Sequence, residues 1–229
     1  MQKILDELLL CSDVAEKFYY MFKNSKFNNW LIGVLPEIED CIKCEQDNPW
    51  HIYGCLDHIL HSVENINKLS FTMDNQTRKI LAYTMFLHDM GKPKCKMKRY
   101  SKLYGKEIDS FFNHNIASEE IASRFLKELD FANIEKDIIQ LLVKEHDIFM
   151  FITEEDDGNK FHKLLTIELV EEYINQYNRF GDGKRIFQML CLVGLADNMA
   201  QNPKMTKASI HKINNIIKMI EKCDGCKEL

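Results

Sequence analysis

Residues 81–93 of the chain read Leu81-Ala82-Tyr83-Thr84-Met85-Phe86-Leu87-His88-Asp89-Met90-Gly91-Lys92-Pro93, an almost unbroken apolar run that ends in a histidine beside an aspartate. Upstream, Asp74 is a typical N-cap, and Gly91 suits the left-handed residue that closes many helices, just before a proline that prevents continuation. The stretch therefore predicts a buried helix with His88 and Asp89 in its last turn.

Burial of an imidazole and a carboxylate is costly unless a charged partner meets them. A divalent metal ion is a common partner for this pair of groups. A simple hydrogen bond between His88 and Asp89 at a helix end is the alternative. The dipeptide alone leaves both interpretations open.

The composition bounds the class of protein. The chain has 229 residues, of which 45% are hydrophobic and 28% charged, and its net charge is -5. These values are typical of a soluble globular protein with one domain and helical extensions, or with two small domains. The acidic balance argues against a surface that binds nucleic acid all over, so any such binding is expected to be local.

The first residues and the cysteines indicate the compartment. Acidic residues interrupt the N-terminal segment and no apolar run is long enough to span a bilayer, so we expect a cytoplasmic protein without membrane association. The eight cysteines lie mostly in apolar helical patterns, as reduced thiols do. Two close pairs, Cys41 with Cys44 and Cys223 with Cys226, would form a structural zinc site only if both ends of the chain met.

Apolar residues recur at three- and four-residue spacing through most of the chain, and there are only 9 glycines and 4 prolines. This periodicity predicts an all-α fold. Helices are expected at residues 4–10, 14–22, from about 36, 52–66, 75–90, 115–129, 133–149, 161–180 with a break near 166, 184–200 and 206–223. Residues 94–112 fit a long loop or a short hairpin better, and a loop of this length is often functional.

Four further residues are candidate metal ligands because each lies on or beside an apolar helical face. His58 lies inside the stripe of the helix that precedes the His–Asp pair, and Asp197 closes an apolar run much as Asp89 does. His114 begins one helix and His146 lies near the end of another. Each alone is more often a satisfied core or surface group, but together with the His–Asp pair they predict a metal site.

The order of these residues resembles the HD superfamily of metal-dependent phosphohydrolases. The motif of that family is a histidine, an adjacent His–Asp pair and a distal aspartate on a bundle of helices, and extra histidines before the last aspartate mark members with two metal ions. Several segments are also similar to the HD region that follows the polymerase head in bacterial CCA-adding tRNA nucleotidyltransferases: Pro49-Trp50-His51-Ile52-Tyr53, Asp57-His58-Ile59-Leu60, His88-Asp89-Met90-Gly91-Lys92-Pro93, Asn113-His114-Asn115-Ile116-Ala117-Ser118 and Ala196-Asp197-Asn198-Met199-Ala200-Gln201-Asn202-Pro203. The polymerase head has no counterpart in this chain, so CCA addition is not expected.

The resemblance implies an all-α HD-domain helical bundle with a short irregular or hairpin insertion near 94–112. It also implies three segments. We expect an N-terminal helical segment at 1–46 that packs on the core, an HD domain at 47–205, and a C-terminal helix at 206–229.

The resemblance further implies a divalent metal cofactor of one or two ions. A one-ion site would use four residues: His58, His88, Asp89 and Asp197. A two-ion site would add His114 and His146, with Asp89 as the bridge. The mixed donors suit Mn, Ni, Co, Fe or Zn better than Mg, without selecting among them. A bound ion would activate water for attack on a phosphate ester.

The implied activity is hydrolysis of phosphomonoesters or phosphodiesters of nucleotides or nucleic-acid ends, including 2′,3′-cyclic phosphates, because the related region of CCA-adding enzymes is associated with such activities. Asp89 and Lys92 are the expected catalytic residues. The candidate substrate contacts are His51, His61, Lys92 and Arg99. Surface or packing roles are the alternative for these residues. Asp147, which follows His146, is a candidate orienting partner.

The main alternative function is a catalytically silent HD module that binds tRNA or other RNA, partners a separate enzyme, or senses a ligand. Basic residues of the loop, interleaved with Tyr100 and Tyr104, have the composition of a surface that contacts phosphates or single strands. They are Lys94, Lys96, Lys98, Arg99 and Lys102. A solvated charged loop explains the same residues. The sequence selects neither a particular substrate nor an oligomeric state.

Overall fold

The computed structural model describes residues 1–223, and most of these residues are helical, which confirms the predicted all-α fold. The helices are α1 (Gln2–Leu9), α2 (Val14–Phe22), α3 (Ser25–Val34), α4 (Glu37–Lys43), α5 (Cys55–Leu69), α6 (Asn75–Leu87), α7 (Lys92–Cys95), α8 (His114–Lys127), α9 (Asn133–Glu145), α10 (Ile167–Tyr177), α11 (Gly183–Met199) and α12 (Pro203–Lys222). The strands are β1 (Met97–Ser101), β2 (Lys106–Ser110), β3 (Ile152–Thr153) and β4 (Lys163–Leu164), and short 3-10 helices cover Ile148–Phe151 and Asn178–Phe180. Among the described helices, none combines the length and the apolar character needed to cross a membrane.

Helix α6 is the central helix of the bundle. Helices α1, α5, α8, α9 and α11 all pack against it, and every residue from 80 to 92 is buried. From residue 80 onwards the helix requires an apolar sequence on all sides, because no face of this part meets water. Asp74 begins the helix as predicted: its side chain accepts hydrogen bonds from the backbone nitrogen and the hydroxyl of Thr77, at 2.9 and 2.7 Å.

The N-terminal helices share the core of the bundle. One continuous cluster of buried apolar side chains runs from Leu5 in α1 to Ile220 in α12. Helix α1 packs on α6, and helices α2 and α4 pack on α5. The division into segments at residues 46 and 205 stays a prediction. Residues 224–229 of the last predicted segment, with Cys226 of the second cysteine pair, lie outside the described residues.

Residues 94–112 contain the rest of α7 and a β-hairpin. Strands β1 and β2 pair antiparallel, and Gly105 in their turn has a φ of +62°, which glycine adopts without strain. The hairpin is tied to the segment before α5, because Asp109 and Asp47 exchange two hydrogen bonds. The backbone nitrogen of Asp109 donates to the Asp47 carbonyl and the backbone nitrogen of Asp47 donates to the Asp109 carboxylate, both at 2.8 Å. The structure therefore has the hairpin, not the loop.

Gly91 does not have the predicted left-handed conformation, since its φ is -81°. A Cβ at this position would lie 2.5 Å from the carbonyl oxygen of His114 and 2.6 Å from the backbone nitrogen of Ser118. The backbone nitrogen of Gly91 also donates to the Ser118 hydroxyl at 2.9 Å. The glycine is therefore required because α8 approaches the chain closely here, and this approach brings His114 next to Asp89.

Several predicted helix boundaries are wrong. Helix α3 has no predicted counterpart, and its N-cap is Asn24, whose side chain accepts two backbone hydrogen bonds. Helix α5 begins later than predicted and leaves Ile52 outside, 54% exposed. Residues 161–166 are not helical, because Thr166 is the N-cap of α10. Helix α9 ends before His146, which places that residue in a turn.

Candidate metal centre

Four buried side chains from three helices meet in the middle of the bundle. His58 lies on α5, His88 and Asp89 follow the end of α6, and Asp197 lies near the end of α11. One donor atom from each side chain lies within 4.8 Å of the other three. The structure thus brings together all four residues of the predicted one-ion set.

The imidazoles of this first group face its carboxylates. Nε2 of His58 lies 3.1 Å from Oδ2 of Asp89 and 2.9 Å from Oδ1 of Asp197. Nε2 of His88 lies 3.2 and 3.6 Å from the same two oxygens. The two imidazole nitrogens are 3.3 Å apart. The four donor atoms therefore surround one small space between the helices.

A second group shares Asp89. Nε2 of His114, at the start of α8, lies 3.1 Å from Oδ1 of Asp89, and Nε2 of His146, just after α9, lies 3.8 Å from the same oxygen. The two imidazole nitrogens are 3.1 Å apart. Because Oδ2 of Asp89 faces the first group and Oδ1 the second, this carboxylate lies between the groups and could bridge two ions.

In each of the four imidazoles, Nδ1 is the ring nitrogen that faces away from the centre, and Nε2 faces towards it. Each Nδ1 lies at hydrogen-bond distance from a backbone carbonyl oxygen: His58 with Ala200 at 3.3 Å, His88 with Met85 at 2.6 Å, His114 with Phe111 at 2.7 Å and His146 with Val143 at 2.7 Å. A carbonyl only accepts, so each Nδ1 donates, and Nε2 is the atom left to face the centre. Each Nε2 can carry a proton towards the carboxylates or, in the neutral ring, give its lone pair to a metal ion between them.

Asp89 points to the same conclusion. Its Oδ2 pairs with the ammonium of Lys92 at 2.6 Å, whereas Oδ1 is buried and faces the imidazoles of His114 and His146 at 3.1 and 3.8 Å. A buried carboxylate oxygen is costly unless a donor or a cation satisfies it. Imidazole nitrogens combined with carboxylate oxygens are a donor set that suits zinc and the transition metals. These buried groups could therefore hold a metal ion.

The carboxylates dominate the electrostatics of the first group. Burial raises the pKa of Asp89, but the charges of His88 and Lys92 outweigh burial and hold the pKa well below its usual value. Hydrogen bonds from His58 and His88 likewise outweigh burial at Asp197 and lower its pKa. Burial lowers the pKa of His88, but the charge of Asp89 and the hydrogen bond to Asp197 raise it to about 10. Two ionised carboxylates thus attract a cation to the imidazole nitrogens.

Lys92 is buried and only 4% exposed, so it is not the surface lysine of the alternative interpretation. Its Nζ lies 2.6 Å from Oδ2 of Asp89, 2.9 Å from Oε1 of Gln46 and 3.0 Å from Nε2 of His51. His51 is held in turn by Asn48, whose Oδ1 lies 2.7 Å from Nδ1. Burial and the charge of Lys92 lower the pKa of His51 to about 2, so the neutral ring accepts from the ammonium. Lys92 is therefore fixed beside Asp89.

Three amide side chains that were not predicted as site residues support the site. Gln46 and Asn48 act through Lys92 and His51, and Gln201 lies 3.1 Å from both carboxylate oxygens of Asp197. Gln201 follows Asp197 by four residues but lies beyond the end of α11 at Met199, so helical spacing does not indicate it. Gln46 and Asn48 lie in a segment without helical periodicity, so no local pattern shows that they point inward.

A cavity of about 580 Å³ opens from this centre. The candidate ligands that line it are Asp89, His114, His146 and Asp197. His51, Lys92 and Arg99 also line it. The cavity wall therefore combines candidate metal ligands with two permanent cations.

His61 is not brought to this cavity. Its Nδ1 lies 3.0 Å from Oε2 of Glu64, and its ring centroid is 4.4 Å from that of Tyr53. A local packing role accounts for these contacts.

The lysines of the hairpin are largely neutralised. Lys96 and Lys98 lie 3.1 and 3.0 Å from the carboxylate of Asp109, which is itself only 4% exposed. Lys98 also lies 3.4 Å from Asp47. These ion pairs reduce the positive charge that the loop could offer to RNA. Arg99, in contrast, lines the cavity.

No protein-family model matches the sequence, and no curated protein matches it significantly. The resemblance to the HD superfamily accordingly rests on the motif residues and on the site that they form. The chain is helical, and its buried group of His58, His88, Asp89 and Asp197 is compatible with an HD-type metal site.

Proposed function

We propose that this protein is a metal-dependent phosphohydrolase that acts on phosphate esters of nucleotides or of nucleic-acid ends, including 2′,3′-cyclic phosphates. One observation carries the proposal: the Nε2 atoms of four imidazoles converge on Asp89 at the base of a cavity. The volume of that cavity, about 580 Å³, is in the range of small-molecule sites.

The ligand residues and the cations have separate roles in this proposal. His58, His88, Asp89 and Asp197 would hold a divalent ion, which would supply a water of lowered pKa and offset negative charge on phosphoryl oxygens. Lys92 places a fixed positive charge beside Asp89 on the cavity wall, where it would stabilise the negative charge that grows on the phosphate during the reaction.

Arg99 adds a second cation on the same wall. A guanidinium can bind two phosphate oxygens at once, so Arg99 would orient the phosphate group rather than take part in its cleavage. The substrate is therefore expected to be anionic at the end that enters the cavity first.

Aromatic rings on the cavity wall favour a nucleotide as substrate over a small phosphate ester. Trp50, Phe112 and Phe151 line the cavity although they are 38%, 75% and 49% exposed. Exposed rings next to a cationic wall suit a ligand with an aromatic end and an anionic end. A nucleotide has this form, and stacking of its base on such rings contributes about 1–3 kcal/mol.

The backbone conformation of Asn113 is a further argument that this part of the cavity contacts the substrate. Within residues 1–223, Asn113 is the non-glycine residue with positive φ, at 63°. It lines the cavity and directly precedes His114, and its side chain does not cap α8. Strained backbone conformations concentrate at functional sites, so the free amide of Asn113 is a candidate to read the edge of a base.

A hydrolysis panel tests the proposed function. It covers mononucleotides, 2′,3′-cyclic nucleotides, dinucleotides, short RNA and p-nitrophenyl phosphate, each with added Mn, Ni, Co or Mg. We expect turnover that depends on a metal and that falls at least about 10²-fold in Asp89→Ala. Asp137→Ala is the matched control, because Asp137 is exposed on α9, and it should keep full activity.

Circular dichroism should show the same helix content in both variants. Undiminished turnover by Asp89→Ala, or no turnover by the wild type with any substrate and ion, would contradict the proposal.

A further inference from the structure

Asp147 lies beside the second group and has no role in the proposed function. Its Oδ2 lies 3.3 Å from Nε2 of His114, and its Oδ1 lies 3.5 Å from Nε2 of His146. The two oxygens of one carboxylate thus face two different imidazoles. Asp147 also lines the cavity.

The sequence makes Asp147 a candidate to orient His146, but its position does not fit that role. A carboxylate that orients a metal-binding imidazole accepts from the ring nitrogen that faces away from the ion. In His114 and His146 that nitrogen is Nδ1, which already lies 2.7 Å from the carbonyl oxygens of Phe111 and Val143 respectively. The Asp147 carboxylate lies instead on the Nε2 side, where a ligand would lie.

The second group is short of donors without Asp147. Asp89, His114 and His146 offer one atom each within 4.8 Å of one another. Zinc and the transition metals are usually held by four or more ligands, of which a catalytic site leaves some to water or substrate. As a fourth protein ligand and a second carboxylate, Asp147 would also balance the charge of an ion that shares Asp89 with a neighbour.

The two groups differ in their access to the cavity. His114, His146 and Asp147 line it, whereas His58 and His88 of the first group are not among its lining residues. The side chain of Asp147 is 23% exposed, while those of His58 and His88 are 1% and 0% exposed. The second group is therefore the more open of the two.

We infer that Asp147 is a protein ligand of a second divalent ion, together with Asp89, His114 and His146. This inference rests on the proposed function in one respect, namely that the first group also binds a metal ion. Because the second group is more open, its ion is bound more weakly than the first and exchanges faster with solution.

Manganese binding measured by equilibrium dialysis tests this inference without an activity assay. The wild type should bind two ions per chain with separate affinities. In Asp147→Ala and in the isosteric Asp147→Asn, the first ion should bind with unchanged affinity and the second should bind at least about 10-fold more weakly, since even loss of an outer partner of a ligand weakens binding 10- to 100-fold. Asp137→Ala should match the wild type.

The retained first ion also shows that the Asp147 variants are folded. Two ions with unaltered affinities in both variants would overturn the inference, and so would a wild type that binds a single ion. A wild type that binds no ion would overturn the proposed function as well, so the two failures are distinguishable.

Discussion

Lys92 shows how one residue connects the apolar core to the chemistry of the site. It directly follows the buried run of α6, and Gln46, His51 and Asp89 hold its ammonium. Burial of a charged ammonium is tolerated only with such partners. Its position on the cavity wall beside Asp89 suits a cation that stabilises charge on a phosphate.

We predict that Lys92→Gln lowers kcat by about 10²-fold with nucleotide substrates, because one fixed positive charge is lost. Metal content should persist, since Lys92 is not a ligand. Lys94→Gln is the matched control: Lys94 belongs to the same short helix but its side chain is 72% exposed. Steady-state kinetics and metal analysis measure both variants, and equal kcat values in the two variants would contradict the assigned role.

Gly91 has its effect through the space that it leaves for α8. We predict that Gly91→Ala lowers the free energy of unfolding by about 1–3 kcal/mol, because the added Cβ would meet the backbone of His114 and Ser118. Gly33→Ala, in α3, has no atom within 4 Å of its new Cβ and should change stability by less than about 1 kcal/mol. Urea unfolding measures both, and equal stabilities of the two variants would show that α8 does not need the glycine.

At the scale of elements, helix ends position the imidazoles. His88, His146 and His114 each place Nδ1 against the carbonyl oxygen of the residue three positions earlier. The last carbonyls of a helix have no backbone partner within it, so those of α6 and α9 are free to accept these bonds. The same local hydrogen bond thus fixes candidate ligands at two helix ends and at the start of α8.

The hairpin is held by one buried carboxylate. Burial raises the pKa of Asp109, but hydrogen bonds from Lys98, from the backbone of Asp47 and from Lys96 outweigh burial and hold the pKa below its usual value. A carboxylate with a lowered pKa stabilises the fold above its unfolded pKa of about 4, and this contribution disappears as the pH falls through the folded pKa.

We therefore predict that Asp109→Asn lowers the free energy of unfolding at pH 7 by about 1–3 kcal/mol. The difference from the wild type should shrink as the pH falls from 5 towards 3, because the wild-type carboxyl becomes protonated. Urea unfolding at pH 7, 5 and 3 measures this difference, with Asp137→Asn as the exposed control. A difference that stays constant over this range would show that the charge of Asp109 does not hold the hairpin.

The sequence predicts elements whose signal is local. The apolar run and the Asp74 cap suffice for α6. Helix α3 buries only Phe27 and Leu31, too few to give a clear period. The hairpin depends on the contact of Asp109 with Asp47, residues 62 positions apart, which no local pattern contains. Gly91 is explained only by the approach of another helix.

At the scale of the whole molecule, distant segments build one site. The ligand candidates come from five helices or their ends, between His58 and Asp197. Their residue types and order predict this set, because ionisable groups on apolar faces must meet in the interior. The direction of Asp147 and the amides around Lys92 could not be predicted, since they depend on turns and on the irregular segment before α5.

The central claim is that Asp89, which belongs to both groups of candidate ligands, holds a metal ion. The most direct measurement is the manganese bound per chain after dialysis, in the wild type and in Asp89→Asn of equal helix content. We predict at least one ion per chain in the wild type and none in the variant, because Asp89 contributes an oxygen to both groups. Equal manganese in both proteins, or a wild type without bound manganese, would contradict the account.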